Sequence, residues 1–130
     1  MKPINLPIFP LKLVALPGTI QGLQIFEPRY LNMVKQCMSD SSNFVISYKS
    51  DRFDDFDFGI EKVGTTVQII DFNNLPNGLL GITVKAESKV SLNNITQLED
   101  NSYLGEVSPL IEPEVDDLSL LAKYPDLIVV

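Results

Sequence analysis

Polar and apolar positions alternate along most of this chain, and only one stretch switches to helical spacing. Residues 6–11 form a first apolar run, punctuated by Pro7 and Pro10. Proline cannot donate to a strand ladder, so this run is expected as an edge strand or a very short one. Leu13, Val14 and Leu16 carry the apolar run to Pro17-Gly18. That dipeptide suits the centre of a type II turn, because Gly accepts a positive φ. Gln21, Leu23 and Ile25 then alternate with Gly22, Gln24 and Phe26, a half-buried strand pattern. Pro28 fits the first turn of a helix, where its missing N–H costs nothing, and Glu27 places negative charge at the positive end. Leu31, Val34, Cys37 and Met38 share one helical face, with Met33 beside them, and the polar run 39–43 ends the helix.

After the helix the period returns to two. Residues 44–48 read as a strand, with Phe44, Ile46 and Tyr48 opposed to Val45 and Ser47. Residues 51–59 interleave acids with aromatics and read as an exposed loop. A strand over 65–72 leads into 73–78, where Pro76 and Gly78 supply the chemistry of a hairpin turn. The return strand puts Leu80, Ile82, Val84 and Ala86 on one face. A separate strand is expected from Val90 and Leu92 to Leu98, a turn at 99–102, and a last strand over 103–110. Pro113 breaks that strand, and residues 114–122 are expected as a short helix with Lys123 near its end. The residue pattern predicts one mainly β domain over 1–130, an antiparallel barrel or sandwich of short strands around one early helix.

Composition narrows the chemistry. The chain has 130 residues and a net charge of 10 − 17 = −7. Its lysines are scattered, so the basic footprint of a nucleic-acid binder is missing and an anionic membrane surface would repel it. There is no histidine, which removes the commonest general base and metal ligand. Cys37 is the single cysteine and reads as a small core residue; no internal disulfide is possible. Without a signal-peptide core or a bilayer-length apolar run, the expected compartment is the cytoplasm.

Asp51, Asp54, Asp55, Asp57 and Glu61 could offer oxygen ligands to a hard cation, but their spacing departs from the calcium-loop template. Ser47 with Lys49 and Ser88 with Lys89 are the formal serine–lysine pairs, and both are ordinary strand patterns. No catalytic, cofactor or metal residue is assigned. Phe53, Phe56 and Phe58 stand out in the acidic loop: three aromatics among acids either cover a core edge or meet a partner polypeptide. The apolar end at 127–130 is expected to dock on the body or on a second copy, which leaves a homodimer open.

Leu6-Pro7-Ile8-Phe9-Pro10-Leu11, Leu16-Pro17-Gly18 and Leu23-Gln24-Ile25-Phe26-Glu27-Pro28-Arg29-Tyr30 together resemble the start of the Lon protease N-terminal, substrate-binding domain family. This domain opens ATP-dependent Lon proteases and also occurs alone in small bacterial proteins and within cereblon. Glu61-Lys62-Val63-Gly64-Thr65 resembles the family's strand entry, and 73–81 its hairpin, so the resemblance covers roughly residues 3–112 and leaves 113–130 as a tail. It implies a PUA-like pseudobarrel of about six strands with one early helix. It also implies engagement of polypeptides in protein quality control, by a stand-alone member lacking the ATPase and protease modules. The alternatives are an RNA-binding PUA-like module and a small metal-dependent site at the acidic loop. Pro17, Gly18, Glu27, Pro28, Arg29 and Tyr30 carry the motif and read as structural: a turn, a helix start, an ion pair or loop-carbonyl cap, and a buried ring.

Overall fold

The computed structural model describes residues 4–51 and 57–110. Six strands and one helix follow in the order β1 (Ile4–Leu11), β2 (Ile20–Ile25), α1 (Pro28–Asp40), β3 (Phe44–Lys49), β4 (Ile60–Asn74), β5 (Leu80–Gln97) and β6 (Tyr103–Pro109). They form one sheet in the order β2-β5-β4-β3-β1-β6, and an extra β5–β6 pairing closes β1, β3, β4, β5 and β6 into a ring. The pseudobarrel is therefore present. The 114–122 helix expected from the sequence lies outside the described residues.

Two features of the sheet differ from the sequence expectation. The first is β1, which lies inside the ring and not at an edge. Its first half pairs antiparallel with β6 (Ile4↔Val107 to Ile8↔Tyr103) and its second half parallel with β3 (Ile8↔Val45 to Leu11↔Tyr48). Each half therefore has one ladder only. Pro7 lies in the half paired with β6 and Pro10 in the half paired with β3, so each proline has an open side on which its missing donor costs no bond. This β1–β3 pair also departs from the antiparallel arrangement expected from the sequence: a parallel pair needs a crossover, and β2 with α1 supplies it. The second is β5, one continuous strand where two were expected. The polar run Glu87-Ser88-Lys89 reads as a break, yet Ser88 pairs with Thr66 and Lys89 with Thr65. Its polarity reflects exposure within a strand.

The local signals hold. Gly18 sits at φ +87°, and Thr19 N–H donates to Leu16 O across the Pro17-Gly18 turn at 3.1 Å. Pro28 opens α1, with Glu27 extended before it. Gly78 takes φ +79° in the β4–β5 hairpin. Helix α1 ends with Ser41 in the left-handed region at φ 52°, and Ser42 N–H bonds back to Cys37 O at 3.0 Å.

Strand periodicity divides the core in two. On β1, Ile8 and Phe9 point to opposite faces; on β3, Val45 and Ile46 do the same. Phe9, Phe44, Ile46, Ile82 and Val84 pack with Tyr30, Met33, Val34 and Cys37 of α1. Ile8, Val45, Ile60, Leu92, Ile95 and Tyr103 fill the ring. Both faces of β3 are buried, which explains its unbroken apolar run from Phe44 to Ile46. Among the described residues, no helix is long and apolar enough to cross a membrane.

Candidate functional site

Of the motif residues, Glu27, Pro28, Arg29 and Tyr30 meet at the N-terminal end of α1, while Pro17 and Gly18 form the turn whose Gly18 N–H donates to Ala86 O. Arg29 Nε donates to Glu27 Oε2 at 2.9 Å, and Arg29 Nη1 donates to Asn101 O at 3.0 Å. The guanidinium also lies 4.7 Å from the centre of the Tyr30 ring and 5.7 Å from that of Tyr103. Tyr30 in turn stacks on Phe9 at 4.3 Å. Burial pushes the Tyr30 hydroxyl up to about 12, above an ordinary tyrosine. Asn101 is left-handed at φ 70°, and its carbonyl also accepts from Gln97 Nε2 at 3.3 Å. Arg29 thus ties the helix start to the β5–β6 turn, with both interactions anticipated for it made at once.

The aromatic loop is divided. Phe53 and Phe56 lie outside the described residues. Phe58 is half-buried, at φ 56°, with its ring 5.3 Å from Tyr103, where it covers the ring core. Of the acids proposed as ligands, Asp51 pairs with Lys12 at 2.5 Å, and Asp54 and Asp55 fall outside the described residues. Among the described residues no three His, Cys, Asp or Glu side chains gather as a metal site. Ser47 is buried, and its hydroxyl donates to Glu61 O at 2.7 Å and to Val63 O at 3.1 Å, which engages it in the strand irregularity beside Lys49.

A groove lies elsewhere among the described residues. Strand β3 begins at Phe44, opposite Val67, so β4 beyond Val67 pairs only with β5 among the described residues. That open edge runs beside the C-terminal end of α1. Between them lies a groove of about 340 Å³, lined by Cys37, Met38, Ser41, Ser42, Gln68, Ile69, Ile70, Asp71 and Phe72. A register shift between Ile69 and Asp71 bends the strand there. Ile70 is left 47% exposed and Phe72 51% exposed. A second open edge belongs to β2, which pairs only with β5 among the described residues. Residues 13–26 around it carry no charge. A second cluster of exposed apolar side chains, Val14, Tyr48 and Val63, surrounds a cavity of about 320 Å³.

Open strand edges beside apolar side chains offer one physical route to an extended polypeptide: the edge supplies main-chain hydrogen bonds and the pockets take alternate side chains. Comparisons with known proteins supply the family. The family model for the ATP-dependent protease La (Lon) substrate-binding domain matches residues 5–128.

The chain belongs to the Lon substrate-binding domain family.

The match continues past residue 112, where the sequence resemblance fades, into the tail. A Lon N-terminal domain protein from Xanthomonas campestris, known from a crystal structure, is 31% identical with a TM-score of 0.72; the alignment covers 92% of this chain and 70% of that one. The N-terminal domain of a Mycobacterium avium complex Lon protease shares the fold at 17% identity and a TM-score of 0.70, over 93% of this chain and 63% of that one. A Lon protease from Fusobacterium nucleatum is 22% identical over 125 residues, 93% of this chain but 16% of that protein. The chain thus spans about a sixth of that full-length relative, and the family match is to the substrate-binding domain alone.

The groove was not visible in the sequence. Ile70 and Phe72 read there as ordinary strand residues. The signal that could have found them is the double apolar step Ile69-Ile70, which breaks the alternation and marks the bulge.

Proposed function

We propose that this domain is a non-catalytic polypeptide-binding module acting in protein quality control, and that it holds extended, apolar segments in the groove between α1 and the open edge of β4. The observation that carries this reading is the coincidence of a strand edge left unpaired among the described residues with Ile70 and Phe72, both about half exposed and both lining one cavity. Large apolar side chains at a free edge are a liability that folded proteins normally cover. Here a partner chain would cover them. Family membership supports the same reading, since the matched model is named for substrate binding. The net charge of −7 disfavours RNA as the polymer bound.

The test is binding of a fluorescent, permanently unfolded model polypeptide to the purified chain. Ile70→Ser with Phe72→Ser is expected to weaken binding about tenfold or more, because two apolar anchors are lost. The Phe53, Phe56, Phe58 triple alanine variant separates the aromatic loop from the groove: if it alone abolishes binding, the site lies on the loop. No binding by the parent chain at high concentration refutes the reading altogether.

A further inference from the structure

The groove has a charge as well as a shape. Helix α1 ends at its mouth with Asp40 as the last helical residue and no basic residue in the last turn. The C-terminal end of a helix is already the negative pole of its dipole and is normally matched with Lys or Arg. Here an acid adds to it. Across the groove Asp71 is the charged residue of the lining, contributed by the bulged edge of β4. Burial pushes the Cys37 thiol upward, a hydrogen bond with Ser42 opposes this, and the Asp40 charge adds a smaller upward push. Neither acid meets a cation among the described residues. Asp40 accepts from Gln36 Nε2 at 2.7 Å, and Asp71 Oδ1 accepts from Phe72 N–H at 2.8 Å. Lys35 lies on α1 and Lys85 stands opposite Gln68 on β5, but neither lines the groove or forms an ion pair among the described residues.

From this geometry we infer the chemistry of the occupant: an extended apolar segment that carries a lysine or arginine beside its apolar core. The apolar side chains lie against Ile70 and Phe72, and the cation sits between Asp71 and the carboxyl end of α1. The inference rests on the polypeptide-binding reading and deepens it from "apolar" to "apolar and basic". Asp71 in the lining and Asp40 at the helix end, neither in an ion pair among the described residues, carry it together, because a cation bound there would offset the negative pole of α1. The net charge of −7 favours the same choice, by steering basic segments towards the domain and acidic ones away.

Three synthetic peptides with one shared Val- and Phe-rich core, flanked by Lys, Ser or Glu, test it. Their affinities for the full chain are measured by fluorescence anisotropy at low and at high salt. The Lys peptide is expected to bind about tenfold more tightly than the Ser peptide at low salt, with the Glu peptide weakest. High salt should compress the three towards one value. In the Asp40→Asn, Asp71→Asn double variant, which keeps both acceptor oxygens, the ratio of Lys to Ser affinity should fall to about one. Equal binding of all three peptides at low salt overturns the charge inference and leaves the polypeptide reading standing. Failure of all three to bind overturns both.

Discussion

Gly64 offers a sharp test of the packing. It lies buried on β4 opposite Ser47 of β3, with a φ that any residue can adopt. A Cβ there would stand 2.5 Å from Val45 Cγ1 and 3.0 Å from Ile46 O. Val45 is fully buried within the ring core, and Ile46 O is backbone, so neither can swing aside. Forcing a methyl into such a site costs about 1–3 kcal/mol in strain and displaced backbone. Against this, Gly→Ala restricts the unfolded chain and returns about 0.4–1 kcal/mol. Gly64→Ala should therefore destabilise by about 1–2 kcal/mol. Gly22 on β2 is the control: it has an ordinary φ and nothing within 4 Å of its Cβ position. Gly22→Ala should be neutral or stabilise by up to about 1 kcal/mol. Urea unfolding of both variants, followed by circular dichroism, reads the difference directly. If Gly64→Ala proves as stable as Gly22→Ala, the close approach of β3 and β4 described here is wrong.

Three further outcomes follow from other parts of the molecule. Arg29→Met should cost about 2 kcal/mol in the same urea assay, because it removes charge-assisted bonds to Glu27 and the Asn101 carbonyl; Arg29→Lys should recover only part of this, since one ammonium cannot reproduce the planar fork. Tyr30 titrates at about 12 in the folded chain and near 10 when unfolded, so its contribution to stability is complete below pH 10 and is lost as pH rises towards 12; Tyr30→Phe should flatten that alkaline loss in pH-dependent melting. Cys37 is 1% exposed and its thiol is pushed upward by burial, so a thiol reagent should label the native chain far more slowly than the urea-unfolded one.

What could be read from the sequence was local chemistry. Pro17-Gly18, Pro28 and Gly78 fix the turn, the helix start and the hairpin through constraints on φ that act within a few residues. The helical face from Leu31 to Met38 was visible because its period differs from that of everything around it. The misreadings were failures of pairing. Pro7 and Pro10 argue for an edge only if a strand keeps one partner along its whole length, and β1 changes partner at Ile8. Glu87-Ser88-Lys89 looks like a break because a strand crossing exposed surface can be polar on both faces. The groove was beyond reach for the same reason. It exists because β3 starts opposite Val67 and, among the described residues, leaves that edge of β4 without a partner beyond it, a matter of register between segments more than twenty residues apart in sequence. Of the three loop aromatics only Phe58 is among the described residues, and its ring lies against Tyr103.

The central claim is that this Lon-family domain binds extended polypeptide in the groove between α1 and β4. Backbone amide shifts of the isotope-labelled chain, recorded while an unfolded polypeptide is added, test it most directly. The account predicts that the largest changes fall on residues 37–42 and 68–72. Changes confined to the β2 edge, to the 51–58 loop, or absent altogether would contradict it.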